Sequence, residues 1–540
     1  MADILRGQNE EHVFLNPSRV MFTNSFGSWH VPCKPASQLM FFALFADLFR
    51  SSSSMVRRGS LLAALLGVAF LPAHAETTLS LDEAVRLALE RNPQIKVESF
   101  GRSIARADLL TALGRFDPQL TFRRSYREDS SLASSNVIVA DLIKTDDYSI
   151  AFEGTTPWGM NYSLGGSAQN QRYPQNGYTD NFATFGGITI TQPLLKGFGL
   201  STNLLGVRIA RADRGIADWE FRQTAINIVT SVVIAYSDVA YAQQLLRIAQ
   251  RSRELAAGLL SENEKRFRVG SISESDVTQA RARTATRDEF ILVAQQGLRD
   301  AINRLHQLTG DMTFSVEPEA IVVEPTEIPD EVNVNPAEDL QKAFIDRPDY
   351  QAARLGIVKR RANASAARNQ LLPQVDFVGS YGYSGLDRNF AASRRMVSNY
   401  DNRSYSAGVV VSIPLTFAEG RGRARSARLQ LRQSEADLTR LEQDIALSIT
   451  QAAGQIETTH QRVVANRGAY DLARQALDAE LKKLRAGTSS TFVVLNLQGE
   501  LISAENSLYN ALADERRAHA LYDRELGRTL TVRHIILDKK

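Results

Sequence analysis

Two stretches of this chain copy one another, and that duplication constrains the fold more than any other feature. "ALERNPQIKVESFGRSIARADLLTALGRFDPQLTF" (88–122) aligns with "AFIDRPDYQAARLGIVKRRANASAARNQLLPQVDF" (343–377), at an offset of 255. Pro93 falls opposite Pro348, Pro118 opposite Pro373 and Phe122 opposite Phe377. Further on, "TQPLL" (191–195) resembles "SIPLT" (412–416), and Gly270 and Gly310 match Gly487 and Gly527 at an offset of 217. Chance likeness among Ala/Leu/Arg-rich helices does not place landmarks in the same order twice. A chain with internal self-similarity builds each half on one plan. The shrinking offset puts most of the length difference between Phe122 and Pro193.

Each half reads as a short helix (81–92 and 337–346), a second helix ending at a proline, then extended segments. A helix of nearly 70 residues follows, then a tip turn and a returning helix of about 38. None of the 16 prolines lies between Leu194 and Glu317 or after Pro414. Proline costs about 3 kcal/mol inside a helix, so these gaps fit long uninterrupted helices. The tips are "KRFRVGSISESDVTQARA" (265–282) and "KKLRAGTSSTFVVLNLQGE" (482–500). Residues 76–310 therefore form a first repeat and 337–530 a second. Between them lies a Pro/acid-rich linker (311–336), and 531–540 is a tail. Along the second long helix, Val463, Asn466, Tyr470, Ala473, Leu477, Glu480 and Leu484 step 3-4-3-4, as do Leu438, Leu441, Ile445, Ser448 and Ala452. That spacing argues for side-by-side helix packing. A helix from Ser201 to Val269 would be about 100 Å long, roughly three times the apolar thickness of a bilayer.

The extended segments alternate. Val375, Phe377, Tyr381 and Tyr383 fall on one face, with Gln374, Asp376 and Ser380 on the other; Leu120, Phe122 and Tyr126 alternate with Thr121, Arg123 and Ser125. Tyr405–Leu415 and Phe185–Leu195 also read as strands. Any half-buried antiparallel sheet looks like this, and so does a membrane barrel with one face to lipid and one to water. A second pair, "DYSIAFEG" and "WGMNYSLGG", either lengthens the hairpin outside the membrane or adds strands. About four membrane strands per chain cannot close a barrel, since the smallest have about eight. Several copies must then share one, with their hairpins continuing it as a tube.

Met55-Val-Arg57-Arg58, the apolar run Leu61–Leu71 and Ala73-His74-Ala75 have the form of a secretory signal peptide (55–75), with the mature chain beginning near Glu76. Residues 1–54 read as a misassigned start or a disordered extension; the rival reading keeps them as a real extension with "MFFALFADLF" as a membrane-active stretch. The one cysteine, Cys33, lies upstream of the cut, so the exported chain has no disulfide to form. No later apolar run reaches 18 residues. The net charge of +3 gives no electrostatic reason for a nucleic-acid partner. His306, His460, His519 and His534 show no metal-ligand spacing, and "GFGLSTN" (197–203) lacks the third glycine of a dinucleotide loop. Nothing calls for an enzyme, a metal or a cofactor.

Several segments, taken together, resemble the outer membrane efflux protein (TolC-like) family: "TLSLDEAVRLALERNP" (78–93), "ITQPLLKGFG" (190–199), "RVGSISESDVTQA" (268–280), "IPLTFAEGRGRAR" (413–425) and "AGTSSTFVVLNLQGELISAENSL" (486–508). The resemblance spans nearly all of 78–530. It implies a mostly α protein with membrane β: a homotrimer with a shared 12-stranded transmembrane β-barrel, four strands per chain, above a trimeric α-barrel. It also implies a passive export duct of a tripartite efflux pump or type I secretion system. The implied partners are a periplasmic adaptor, an inner-membrane transporter of ABC, RND or MFS type, and outer membrane lipid. Gly270, Ser271, Asp276, Gly487 and Thr488 would then form the periplasmic tip where an adaptor docks. Val493 and Asn496 stand where the family's best-known member has aspartates ringing the pore, which implies an apolar or amide constriction here. The alternative is a soluble periplasmic adaptor or coiled-coil protein.

Overall fold

The computed structural model describes residues 77–132, 140–312, 321–323 and 334–537. The signal-peptide segment 55–75, the stretch 1–54 with Cys33, most of the linker and the last residues of the tail lie outside the described residues.

In chain order the first half comprises β1 (Thr77–Leu79), α1 (Leu81–Arg91), α2 (Pro93–Gly114), β2 (Gln119–Leu132), β3 (Ala140–Thr155), β4 (Asn161–Arg172) and β5 (Phe182–Pro193). Helices α3 (Leu200–Asn203), α4 (Leu205–Arg268) and α5 (Glu274–Thr309) complete it. After β6 (Ile321–Val323) come α6 (Pro336–Asp346), α7 (Pro348–Asn369), β7 (Gln374–Asp387), α8 (Phe390–Ser398), β8 (Asn402–Ser412), α9 (Ala418–Arg485), α10 (Thr491–Glu525) and α11 (Thr529–Val532).

Local chemistry sets the helix ends. Ser80 caps α1 by accepting the Glu83 N–H, and Asp82 and Glu83 in the first turn complement the helix dipole. Pro93 and Pro348 occupy first-turn positions, where a missing N–H costs nothing. Each therefore starts a new helix directly after a short one. The two long helices run 64 and 68 residues, about 100 Å each. The first begins at Leu205, not Ser201, because Leu204 leaves helical geometry and splits off the short α3.

The helices form a wall. Near the tips α4 packs between α5 and α10, and nearer the sheet between α2 and α7; α9 packs on α10 and α7. Ile226, Val229, Val232, Tyr236 and Val239 of α4 are buried with Ala84 and Ala88 of α1 and Leu305 of α5. Ile445, Ile449 and Ile456 of α9 are buried with Ala518 and Tyr522 of α10 and Ala343 of α6. One window of α4 is apolar enough to cross a membrane, but 72% of it is buried in this packing. Short β1 pairs in parallel with β6 and ties the start of the first half to the linker.

The sheet departs from expectation. It has six strands, all antiparallel neighbours, in the order β2-β3-β4-β5-β7-β8. The expected four strands per chain is two short, because the segment 148–168 adds strands to the sheet: β3 and β4 are inserted between β2 and β5. Their register sets them side by side with the other four strands. Leu120, Phe152, Leu164, Ile188, Tyr381 and Tyr405 stand in one row across all six strands. The next row, on the opposite face, is Gln119, Glu153, Ser163, Thr189, Ser380 and Ser406. Since successive side chains point to opposite faces, these two rows give the sheet an apolar side and a polar side at this level. On the polar face the strands crowd: a Cβ at Gly165, Gly187 or Gly382 would lie 2.1, 2.3 or 2.4 Å from a facing carbonyl oxygen. Glycines at such a line permit a sharp bend, and the crowded polar side is the inside of the curve.

Candidate functional site

All the long helices leave one end of the sheet, and the two hairpin tips lie at their far ends. Both tips close with the same device. At the end of α4, Gly270 has φ +76°; its N–H donates to Phe267 O at 2.9 Å, and the Ser271 N–H donates to Arg266 O at 2.9 Å. At the end of α9, Gly487 has φ +77°, with bonds from its N–H to Leu484 O at 3.1 Å and from Thr488 N–H to Lys483 O at 3.0 Å. These paired bonds are Schellman motifs, which need a left-handed residue at this one position.

The turns differ in how the return helix starts. Ser273 caps α5 and forms a reciprocal capping box with Asp276, whose carboxylate accepts the Ser273 N–H at 3.1 Å and its hydroxyl at 2.7 Å. Asp276 is thus occupied in its own turn. Ser490 makes no such bond at the start of α10, where Val493 stands in place of the acid. Instead Ser489 Oγ donates to Glu480 Oε1 at 2.5 Å, and Lys483 Nζ lies 3.1 Å from the same carboxylate. The hydroxyl first and then the ammonium hold the Glu480 carboxyl below its usual range. A depressed carboxylate stabilises above its unfolded pKa, and that contribution is lost as pH falls through its folded value. The second tip should therefore loosen on acidification below about pH 4. Amide exchange at Thr488 and Ser489 should accelerate in step with Glu480 protonation; exchange rates that ignore it would refute this coupling.

Two residues without a sequence signal join the tips. Asn263, 1% exposed, donates to Asp276 O at 3.5 Å and accepts from Thr491 Oγ1 at 3.4 Å. Arg266 Nη2 reaches Leu484 O at 3.4 Å. Behind them Leu259, Leu477, Leu484, Val494 and Leu495 form one apolar cluster. Val493 and Asn496 are exposed on α10 in the single chain, and so is Phe492, which sequence reasoning passed over. Lys265, Arg266 and Arg268, with Lys482, Lys483 and Arg485, place bases at the negative ends of α4 and α9.

A curved amphipathic sheet joined to two helical hairpins of about 100 Å suits a tube projecting from a membrane. The family model for outer membrane efflux proteins matches residues 84–311 and 340–522, well over half of the chain. The chain belongs to the outer membrane efflux protein family. It is 24% identical over 330 residues to outer membrane efflux protein BepC of Brucella suis, covering 61% of this chain and 68% of BepC. It is also 24% identical over 348 residues to outer membrane protein TolC of Escherichia coli, covering 62% and 69%. The solved outer membrane protein VceC of Vibrio cholerae superposes with a TM-score of 0.61 at 17% identity, over 83% of this chain and 96% of VceC. This outer membrane efflux protein is a passive channel of an efflux or type I secretion system, not an enzyme. It resides in the outer membrane with its helices extending into the periplasm. The adaptor alternative is thereby set aside.

Proposed function

We propose that three copies of this efflux protein close into one conduit, with the apolar sheet face to lipid, the polar face to the bore and the helices continuing the wall into the periplasm. The observation that carries this reading is the pair of rows across the sheet, one wholly apolar and one wholly polar. Edge strands β2 and β8 have no further partner among the described strands. The flanking helices α2 and α9 also carry exposed apolar residues, among them Val97, Phe100 and Ile104 on one and Leu447, Val464 and Leu472 on the other. Two different edges meeting head to tail make a ring when the rotation closes. The number three comes from the family resemblance. With six strands per chain, three copies give 18 strands in place of the expected 12. Barrels of 16–18 strands leave an aqueous channel.

The hairpin tips are then the periplasmic mouth, the region that would meet an adaptor and, through it, an inner-membrane transporter. Gly270, Ser271, Gly487 and Thr488 form the rims, and Asp276 shapes the first of them through its capping box. Val493, Asn496 and Phe492 are the exposed groups available to narrow the opening. Substituting Gly270→Val or Gly487→Val forces a β-branched residue into left-handed geometry, at a local cost of about 1–3 kcal/mol. Export from cells should fall at least about tenfold while the detergent-solubilised oligomer keeps its size. Undiminished export in both variants would remove the tips from the docking role.

A further inference from the structure

Helix α8 connects β7 to β8 at the end of the sheet opposite the long helices, so in the outer membrane it lies on the external side. It is not a free loop. Ser393 is fully buried; its hydroxyl donates to Phe182 O at 2.9 Å and lies 2.7 Å from Thr184 Oγ1. The Phe390 and Phe182 rings meet edge to face at 5.7 Å, and those of Tyr400 and Tyr383 at 4.8 Å. A Cβ on Gly186 would come within 2.8 Å of Val397, and one on Gly385 within 2.1 Å of Ser393 O. Phe182, Thr184 and Gly186 share a strand face with Ile188, and Tyr383 and Gly385 share one with Tyr381. The helix therefore lies against the apolar, convex side of the sheet and outside the bore. It covers β5 and β7, neither of them an edge strand that another copy would use.

Its height is set by the strand beneath it. From Val375 to Tyr383 a tilted strand rises about 21 Å, against an apolar band of about 25 Å in such barrels. Helix α8 thus rests where hydrocarbon gives way to headgroups. There it presents Arg394 and Arg395, with Arg388 just before it, all exposed. Among the described residues no carboxylate forms an ion pair with any of the three. Phe390 and Tyr400 are exposed on the same segment. On the same sheet face Arg124 lies over the Tyr148 ring and Arg403 over the Tyr405 ring, at 5.3 and 5.7 Å. Bases above an apolar belt, flanked by aromatic rings, are the pattern of a surface that lies in a membrane interface and attracts anionic headgroups.

Resting on the outer membrane placement, we infer that α8 is a lipid-binding collar whose Arg388, Arg394 and Arg395 hold phosphate groups of the phosphorylated glycolipid in the outer leaflet. The guanidinium charges attract phosphate oxygens, and the rings meet the acyl boundary. The test uses the purified full-length oligomer in nanodiscs of phosphatidylethanolamine with and without lipid A, with bound lipid A counted per chain. Arg394→Ser with Arg395→Ser should lower lipid A retention about thirtyfold, at one surface-charge contribution per arginine. Arg394→Lys with Arg395→Lys should retain most of it, which separates lost charge from lost folding. Arg467→Ser with Arg474→Ser on α9 removes the same charge far from the sheet and should change nothing. Unchanged retention in the double serine variant would overturn the collar. So would an equal loss in the α9 control, and so would displacement of lipid A by inorganic phosphate at equal concentration, since that would mark a site for free anion. Loss of export with lipid A retention intact would bear on the conduit and leave the collar standing.

Discussion

Leu164→Arg is expected to abolish assembly into the membrane, whereas Ser163→Arg, one residue away, should leave it intact. Leu164 lies in the apolar row of β4, between Phe152 and Ile188. A lipid-facing arginine near the middle of a bilayer costs about 2–4 kcal/mol in such barrels. Every copy in a ring carries that cost, so the effect multiplies with the number of chains. Ser163 lies in the polar row between Glu153 and Thr189, where an added arginine meets water. There it should shift ion selectivity toward anions in planar-bilayer recordings and spare the yield of oligomer extracted from outer membranes. The pair of variants also tests the inserted hairpin directly. If β3 and β4 stood outside the bilayer, Leu164→Arg would be tolerated as well as Ser163→Arg, and the six-strand wall would have to be given up.

Arg347→Ala should be the most destabilising change in the helical region. Arg347 caps the junction of α6 and α7 and donates to Glu525 O at 2.8 Å, Glu525 Oε2 at 3.0 Å and Asp349 Oδ2 at 2.7 Å. The side chains of Arg347 and Glu525 are only 14% and 17% exposed. Removing Arg347 takes the hydrogen bonds from the Glu525 backbone carbonyl and from one carboxylate oxygen, leaving Arg524 as the remaining cation on Glu525. Losing charged hydrogen bonds at a largely covered site costs about 1.5–3 kcal/mol. Burial alone would raise the Glu525 pKa, but hydrogen bonds from Arg524 and Arg347 outweigh it and hold the carboxyl below its usual range. That contribution is present at neutral pH and lost as pH falls through the depressed value. In the alanine variant burial has less opposition, so the deficit relative to wild type should shrink on acidification. Chemical unfolding at neutral and acid pH measures both effects. A deficit below about 1 kcal/mol, or one independent of pH, would mean that the network is merely a surface pair.

Legibility differed by element for physical reasons. The proline-bounded helices and the glycine turns could be read because each depends on a residue's own backbone limits. Gly270 and Gly487 are where a left-handed residue is needed, and Pro93 and Pro348 are where a donor is not. The role of Asp276 was readable too, since Ser273 three residues earlier completes a capping pattern, though the acid first suggested a docking group. The seam along α9 was only partly right. Leu477 and Leu484 are buried as spaced, but further up Ile449 and Ala453 are the buried residues, one position beyond Ser448 and Ala452. The helix changes neighbours from α10 to α7 along its length, so one repeat cannot describe it. Asn263 and Arg266 had no local signal, because their partners lie on the other hairpin. Phe492 was passed over because an aromatic beside a turn is ordinary.

Sequence alone determined the rod-like helices, the alternating strands and the family, because these follow from steric limits, periodicity and ordered motifs along the chain. Only the tertiary structure decided that six strands share one register, that α8 packs against β5 and β7, and that the two tips are stitched together. Strand register and contacts between hairpins are choices among distant partners, and hydrogen bonds between backbones carry no residue-specific trace of which partner was chosen.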